Sequence, residues 1–346
     1  MNIGLIGCGG IGALRAAAIA KSASLQLSAV ADVDPARAHA LAGQFGSVAA
    51  SDWKSLVAQQ EIDAVVVSTP PNSHAEIVVA ALQAGKHVLC EKPLGRTPAE
   101  CQAMVDAAAA AHRVLSTGFN YRFYPSVLMA RTLLDSGMIG ELDHIRSYAG
   151  YSATDHNPPW VHDADMMGGG ALRDNGIHLL DLTRYFLGEV ADVQGEASGW
   201  TWQFDGCEDN GFALLRGENG RIATVQASWT EWAGYRFMLE IYGTRGFIRT
   251  SCFPMKTEVA WAERTGGPVK RRTYRFLGDM LQEHLRSYRW LVIQSFIKEF
   301  SAFSDVVGGK ANGTLASGLD GLRTVEIAHT VAHAGAGRDS EALVHA

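Results

Sequence analysis

Residues 1–32 constrain the fold of this chain more than any other stretch. A short apolar run from Asn2 to Ile6 leads into Gly7-Cys8-Gly9-Gly10-Ile11-Gly12, which fits G-x-G-x-x-G. Helix-favouring residues follow from Ala13 to Ala20, and a second apolar run, Leu25 to Ala31, ends on Asp32. Strand, glycine turn, helix, strand and acid in this order make one βαβ unit of roughly 30 residues. Gly7 permits the tight turn off the strand. Gly9 lets a pyrophosphate approach a backbone that carries no Cβ, and Gly12 lets the helix pack closely on the strand. The free N–H groups at the helix start, around Gly10 and Ile11, and the positive end of its dipole attract phosphate charge. Asp32 is placed to accept hydrogen bonds from ribose hydroxyls and to repel a 2′-phosphate. Val33 offers no positive charge to hold one, so the pair favours NAD over NADP. A glycine-rich turn by itself also serves ordinary α/β proteins; the strand, helix and acid around this one make the dinucleotide reading.

The chain has 346 residues, enough for two domains with separate cores. Up to about residue 120, apolar strands (Ala64–Val67, His87–Cys90, Val114–Thr117) alternate with helical stretches, which predicts a doubly wound parallel sheet. Beyond it the pattern changes. A helix is expected over 125–136, a strand over 142–151, an irregular stretch over 152–167 and a helix over 171–187. Residues 190–275 read as an antiparallel sheet with turns at Asp205-Gly206, Glu218–Gly220 and Gly243–Gly246. Two helices follow. One carries Phe296, Ile297, Phe300 and Phe303; the other, 317–334, is expected to turn Leu319, Leu322, Val325 and Val331 inward. The expected architecture is an α/β Rossmann domain over 1–121 and an α+β domain with an open, mostly antiparallel sheet over 122–346.

With a formal net charge of −6, the chain offers nothing that predicts binding to nucleic acid or an anionic membrane. No apolar run approaches about 18 residues. Cys8, Cys90, Cys101, Cys207 and Cys252 show neither C-x-x-C nor zinc spacing, and are expected as buried small side chains in a reducing compartment, hence a cytoplasmic protein.

Ligands of open α/β sheets lie at the carboxyl ends of the strands. Three such ends carry polar groups here: Ser68-Thr69-Pro70-Pro71-Asn72-Ser73-His74, Glu91-Lys92-Pro93 and Asn120-Tyr121-Arg122. A desolvated Lys92 would lower the pKa of a substrate hydroxyl by binding its oxyanion; a plain surface lysine is the competing reading. Farther on, Gly168-Gly169-Gly170 precedes Asp174 and His178, four residues apart and so expected on one helix face. His178 titrates where an alcohol's proton must move, and Asp174 can orient it or hold a second hydroxyl. The glycines are read as allowing close backbone approach to a ligand. Asp174, His178 and Asp181 could together form a metal site, but no second histidine cluster sits at ligand spacing. His156, Trp160 and His162 of the 152–167 stretch could cover the site. Trp229, Trp232 and Tyr235 are expected on a strand, where they could supply a sugar-stacking face or fill the sheet face or a subunit interface. Lys270-Arg271-Arg272 with Arg275 reads best as a solvated edge strand.

Taken together, these motifs resemble the Gfo/Idh/MocA oxidoreductases: the glycine run with Asp32, Thr69-to-His74, Glu91-Lys92-Pro93, Gly118-to-Arg122, Gly168-to-Asp181 and Gly321-to-Glu326. The resemblance spans nearly the whole chain. It implies an NAD-dependent enzyme that moves hydride between nicotinamide and a secondary hydroxyl or ketone of a sugar, cyclitol or related polyhydroxy compound. It further implies catalytic roles for Lys92, Asp174 and His178, and cofactor contacts from Gly7, Gly9, Gly10, Ile11, Gly12, Asp32, Thr69, Pro70, Asn72, His74, Glu91, Lys92 and Arg122. Substrate contacts are expected from Lys92, Arg122, His156, Trp160, Asp174, His178 and Tyr235, with no metal. A homodimer or homotetramer through the second sheet is expected. Two other classes occur among such relatives, a redox-neutral NAD-dependent glycosidase and a non-catalytic dinucleotide-binding regulator.

Overall fold

The computed structural model describes residues 1–153, 158–286 and 289–334. Among them, β1 (Asn2–Ile6), β2 (Gln26–Ala31), β3 (Val48–Ala49), β4 (Ala64–Val67), β5 (His87–Glu91) and β6 (Leu115–Gly118) form one parallel sheet, ordered β3-β2-β1-β4-β5-β6. The order reverses between β1 and β4, the switch point at which doubly wound sheets bind ligands. The helices α1 (Gly10–Ile19), α2 (Pro35–Phe45), α3 (Trp53–Val57), α4 (His74–Gln83) and α5 (Pro98–Ala111) connect these strands. Strands β4 and β5 are apolar and buried along almost their full length because helices cover both faces.

The chain then passes through α6 (Pro125–Asp135), β7 (Leu142–Gly150), the single-turn α7 (Ala164–Met167) and α8 (Gly176–Leu187). The strands β8 (Val190–Ser198), β9 (Asn210–Gly217), β10 (Ile222–Ser228), β11 (Arg236–Gly243), β12 (Gly246–Cys252), β13 (Met255–Trp261) and β14 (Lys270–Arg275) complete a second sheet, ordered β14-β13-β12-β11-β7-β10-β9-β8. Every pairing in it is antiparallel except β7 with β10. Its inner face packs on α6 and α8, and α9 (Leu277–Arg286), α10 (Arg289–Val307) and α11 (Gly318–His333) close the chain. Both α10 and α11 return to the first sheet's layer, α10 against α1 and α11 against α5.

Several local expectations change. The helix expected from 171 starts at Gly176, because Glu208 holds the preceding turn open through the N–H groups of Gly170 and Leu172, both at 2.8 Å. Leu319 lies 47% exposed at the start of α11, while Leu322, Val325 and Val331 are buried. Ser317 caps that helix with a reciprocal Asp320 box, and because Gly318, Gly321, Leu322 and Val325 form its buried face, Leu319 falls on the outer side. Strand β14 is an edge strand whose basic side chains are exposed, as expected. All five cysteines are buried and free. Among the described residues no helix is long and apolar enough to cross a membrane.

Candidate active site

The glycine run does what its spacing requires. Gly7 has φ +96°, and a Cβ on Gly12 would lie 1.9 Å from the carbonyl oxygen of Gly7, so neither position admits a side chain. Around Gly9 and Gly10 there is open space. Gly9 caps α1 with no side-chain hydrogen bond, which leaves the first-turn N–H groups for an anion. At the end of β2, Asp32 is fixed by the N–H of Cys8 at 2.6 Å and that of Asp34 at 2.9 Å, with Val33 98% exposed beside it. A rigid carboxylate facing an open glycine turn fits an adenosine ribose and pyrophosphate.

Lys92 stands at the carboxyl end of β5, one strand from the switch point. Its Nζ donates to the backbone oxygen of Asp174 at 3.0 Å and lies 3.4 Å from Asp174 Oδ1. The other carboxylate oxygen, Oδ2, accepts from the hydroxyl of Tyr151 and, at 3.2 Å, from the indole N–H of Trp229. An ammonium carries three protons, so Lys92 keeps one for a ligand oxygen after serving Asp174.

His178 sits in the first turn of α8, 7% exposed. Its ring lies flat on that of Tyr121, with centroids 4.1 Å apart and planes 10° apart, and the edge of Phe119 closes a second side. Burial, and then the Lys92 ammonium, hold its pKa well below the ordinary imidazole value, so the ring is neutral near pH 7. Among the described residues no hydrogen bond joins Asp174 to His178; the carboxylate meets Lys92, Tyr151 and Trp229, and the imidazole face lies on Tyr121. The Tyr121 hydroxyl is itself held by Tyr235 at 2.8 Å. Between Asp174 and the helix lies Asn175, 5% exposed, with neither amide atom paired to protein among the described residues. A buried unpaired amide costs about 1–3 kcal/mol, which suits a side chain that meets a bound polar group.

The structure brings Lys92, Asp174 and His178 into one cluster and directs other expected residues elsewhere. Arg122 is 3% exposed and doubly bonded to Asp181 at 2.9 and 2.6 Å, with Asp320 at 3.5 Å. Its fork is filled by carboxylates, and Asp181 is thereby taken from any metal set with Asp174. Glu91 pairs with the fully buried Arg15 of α1, which also meets Glu299 of α10 at 2.8 Å. His74 is fully buried; its ring nitrogens face the carbonyl oxygens of Thr69 at 2.8 Å and Pro93 at 3.1 Å. It ties the Thr69-Pro70 turn to the segment after Lys92. Asn72 is exposed and donates to Met166 Sδ at 3.1 Å.

The three glycines at 168–170 admit protein rather than ligand. A Cβ on Gly168 would lie 2.7 Å from Arg96 Cα, and one on Gly170 would lie 2.1 Å from the Glu208 carbonyl oxygen. Trp160 is half-buried against the core, and His162 stacks on Phe204 at 4.3 Å. His156 lies outside the described residues. Trp229, Trp232 and Tyr235 lie in the connection between β10 and β11, not on a strand.

Comparison with known proteins agrees with this arrangement over both sheets. Residues 1–119 match the model of the oxidoreductase family with NAD-binding Rossmann fold, and 127–249 match the GFO/IDH/MocA C-terminal domain. Levoglucosan dehydrogenase of Pseudarthrobacter phenanthrenivorans is 32% identical over 283 residues, 72% of this chain and 73% of that protein. The chain belongs to the Gfo/Idh/MocA oxidoreductases. Another member, inositol 2-dehydrogenase of Rhizobium meliloti, is 32% identical over 270 residues, 75% of this chain and 78% of its own length. Among solved structures, levoglucosan dehydrogenase in complex with NADH superposes with a TM-score of 0.84 at 27% identity, covering 96% of this chain and 95% of its own. As a Gfo/Idh/MocA protein the chain is an NAD-binding oxidoreductase.

Tyr121, Tyr151, Trp229 and Asn175 are the site residues that sequence reasoning did not assign. Tyr121 and Asn175 lie inside motifs already singled out, next to Arg122 and Asp174. Trp229 was singled out only as a stacking surface and nothing local marks Tyr151; the tie of both to Asp174 is made by the packing of the second sheet on α8.

Proposed function

We propose that this oxidoreductase transfers hydride between NAD and a secondary hydroxyl, or the matching ketone, of a sugar, cyclitol or related polyhydroxy compound. The observation that carries the reading is the convergence of Lys92 and Asp174 with a neutral His178 at the carboxyl edge of the sheet that also carries the glycine turn. Bound NAD accepts the hydride in one direction and, reduced, returns it in the other. Residues 1–121 hold the dinucleotide, the glycine turn at its phosphates and Asp32 at the ribose. Residues 122–346 supply the substrate's surroundings.

In oxidation, His178 takes the hydroxyl proton, which its depressed pKa permits at neutral pH. Lys92 donates to the same oxygen and stabilises the alkoxide before hydride leaves the carbon; such a preorganised donor contributes roughly 10²–10³ in rate. Asp174 keeps the ammonium in place and, with Asn175, meets neighbouring hydroxyls. Reduction runs through the same groups in reverse. That named relatives act on levoglucosan and inositol supports the polyol class.

A second copy of the chain would cover the outer face of the second sheet. There a shallow concavity of ≈ 620 Å³ is lined by Tyr148, Phe212, Leu214 and Met238, with Phe212 47% and Leu214 41% exposed. Exposed apolar strand residues of this kind suit a homo-oligomer. The buried free thiols support a reducing, cytoplasmic setting.

The test is absorbance of reduced nicotinamide after mixing the protein with NAD or NADP and a panel of inositols, aldoses, sugar acids and glycosides, and with NADH or NADPH and the matching ketones. Reduction of NAD by one polyol class supports the reading. Silence across the panel in both directions, with NAD bound, overturns it.

A further inference from the structure

Beyond Asp174 the aromatic side chains do not stop at the site wall. Trp229 is fully buried with its indole N–H on Asp174, and its backbone oxygen accepts the indole N–H of Trp202 at 2.9 Å. Trp202 lies half-buried and meets Trp232, their ring centroids 5.5 Å apart and planes inclined at 48°. Trp232 is 70% exposed. A chain of contacts thus leads outward from the Asp174 carboxylate: the Trp229 indole bonds it, the Trp229 backbone oxygen holds Trp202, and the Trp202 ring meets the exposed Trp232.

Both loops that present these rings are braced. Asp209 is fully buried and its Oδ2 accepts the N–H groups of Thr201 at 2.6 Å and Trp202 at 3.1 Å. On the other loop, Glu231 takes the N–H of Ala233 at 2.9 Å and the hydroxyl of Tyr148. The same loop is anchored at its far end by Tyr235 on Tyr121, the ring that stacks on His178. Holding a large apolar ring in water at a fixed angle forgoes its burial energy, so the bracing is explained by something that covers it. The flat C–H face of a pyranose suits indole surface, while its hydroxyls stay in water.

We propose that Trp202 and Trp232 form a second carbohydrate subsite, which holds the adjoining pyranose of a glycoside whose reacting ring lies at Lys92. This rests on the polyol reading above and sharpens it: the substrate has at least two rings. The pair borders the site on two counts: Trp202 bonds the backbone of Trp229, whose indole meets Asp174, and Trp232 sits on the loop that Tyr235 ties to Tyr121.

The experiment is calorimetric titration of the NADH-saturated enzyme with glucose, methyl glucoside, maltose and cellobiose. Wild type, Trp232→Ala, Trp202→Ala and, as control, Trp200→Ala (85% exposed and outside the pair) are compared. One disaccharide is expected to bind about tenfold tighter than the monosaccharides, worth about 1.4 kcal/mol. Trp232→Ala and Trp202→Ala remove that gain, while glucose and NADH binding stay within about two-fold and Trp200→Ala behaves as wild type. Equal binding of one and two rings, or a gain that survives both substitutions, overturns the proposal. So does a change of sedimentation coefficient in Trp232→Ala, which would make the pair a contact between subunits. Because NADH blocks turnover of an alcohol, the titration reads the subsite even if no compound in the redox panel reacts.

Discussion

The imidazole of His178 and the phenol ring of Tyr121 lie face to face, 4.1 Å apart and within 10° of parallel. The contact fixes the plane in which a proton can leave or arrive, a task that a carboxylate performs in many histidine-based sites. Here the nearby carboxylate serves the lysine instead. Tyr121→Phe keeps the ring and should leave kcat within about three-fold, whereas Tyr121→Ala should lower kcat about ten- to a hundred-fold, within the range of positioning effects. NAD affinity, measured by fluorescence titration, should be unchanged in both. A loss of the same size in Tyr121→Phe would place the function in the hydroxyl pair with Tyr235.

Buried neutral histidines make stability depend on pH. His178 has a folded pKa below its unfolded value near 6.5, so the unfolded chain binds more protons between the two. The stabilisation is present above pH 6.5 and is lost as pH falls below it. His74 acts in the same direction, since burial lowers its pKa too. Thermal midpoints should therefore decline below pH 6.5, and His178→Leu should flatten part of that decline. An unchanged acid slope in the variant would contradict a neutral, buried imidazole.

Glu299 bears the opposite sign. Burial, opposed by Arg15, raises its pKa to about 7, so between pH 4.5 and 7 the folded protein binds the extra proton. Its contribution is present below pH 4.5 and is lost as pH rises through about 7. Glu299→Gln cannot lose that proton, so the midpoint difference between variant and wild type should move in the variant's favour from pH 5 to pH 8. A constant difference would show that Glu299 stays ionised throughout.

Asp32 is held by two backbone N–H groups beside an exposed Val33. Asp32→Ser with Val33→Arg removes the charge that repels a 2′-phosphate and adds one that attracts it. The ratio of kcat/KM for NADP over NAD should rise at least about a hundred-fold, about 2.7 kcal/mol of discrimination. A ratio that does not move would mean that another residue reads the ribose.

What the sequence made legible is what local chemistry dictates. Gly7, Gly12 and Asp32 carry their reasons within one βαβ unit, and the positive φ of Gly7 and the closed space at Gly12 follow from it. The strand-end rule located Lys92, and spacing along the chain placed Asp174 near His178. The roles of Arg122 and of the glycines at 168–170 were hidden because their partners are remote in sequence. Asp181 and Asp320 fill the guanidinium, and the backbone of Arg96 and Glu208 fills the space beside the glycines. Residues 269–300 were legible only as a basic edge strand and an apolar helix face, yet Glu299 reaches Arg15 of α1. Charge burial of that kind is a property of packing, and periodicity does not show it.

Lys92, held by Asp174, is proposed to stabilise the alkoxide oxygen on the carbon that gives up hydride. The most direct test of that role is the single-turnover rate of NADH formation in Lys92→Ala against wild type, on the polyol that the panel identifies, with NAD affinity measured on the same samples. The expected rate is lower by about 10²–10³, with NAD binding within a few-fold. A rate equal to wild type, or a loss wholly explained by weaker NAD binding, would contradict it.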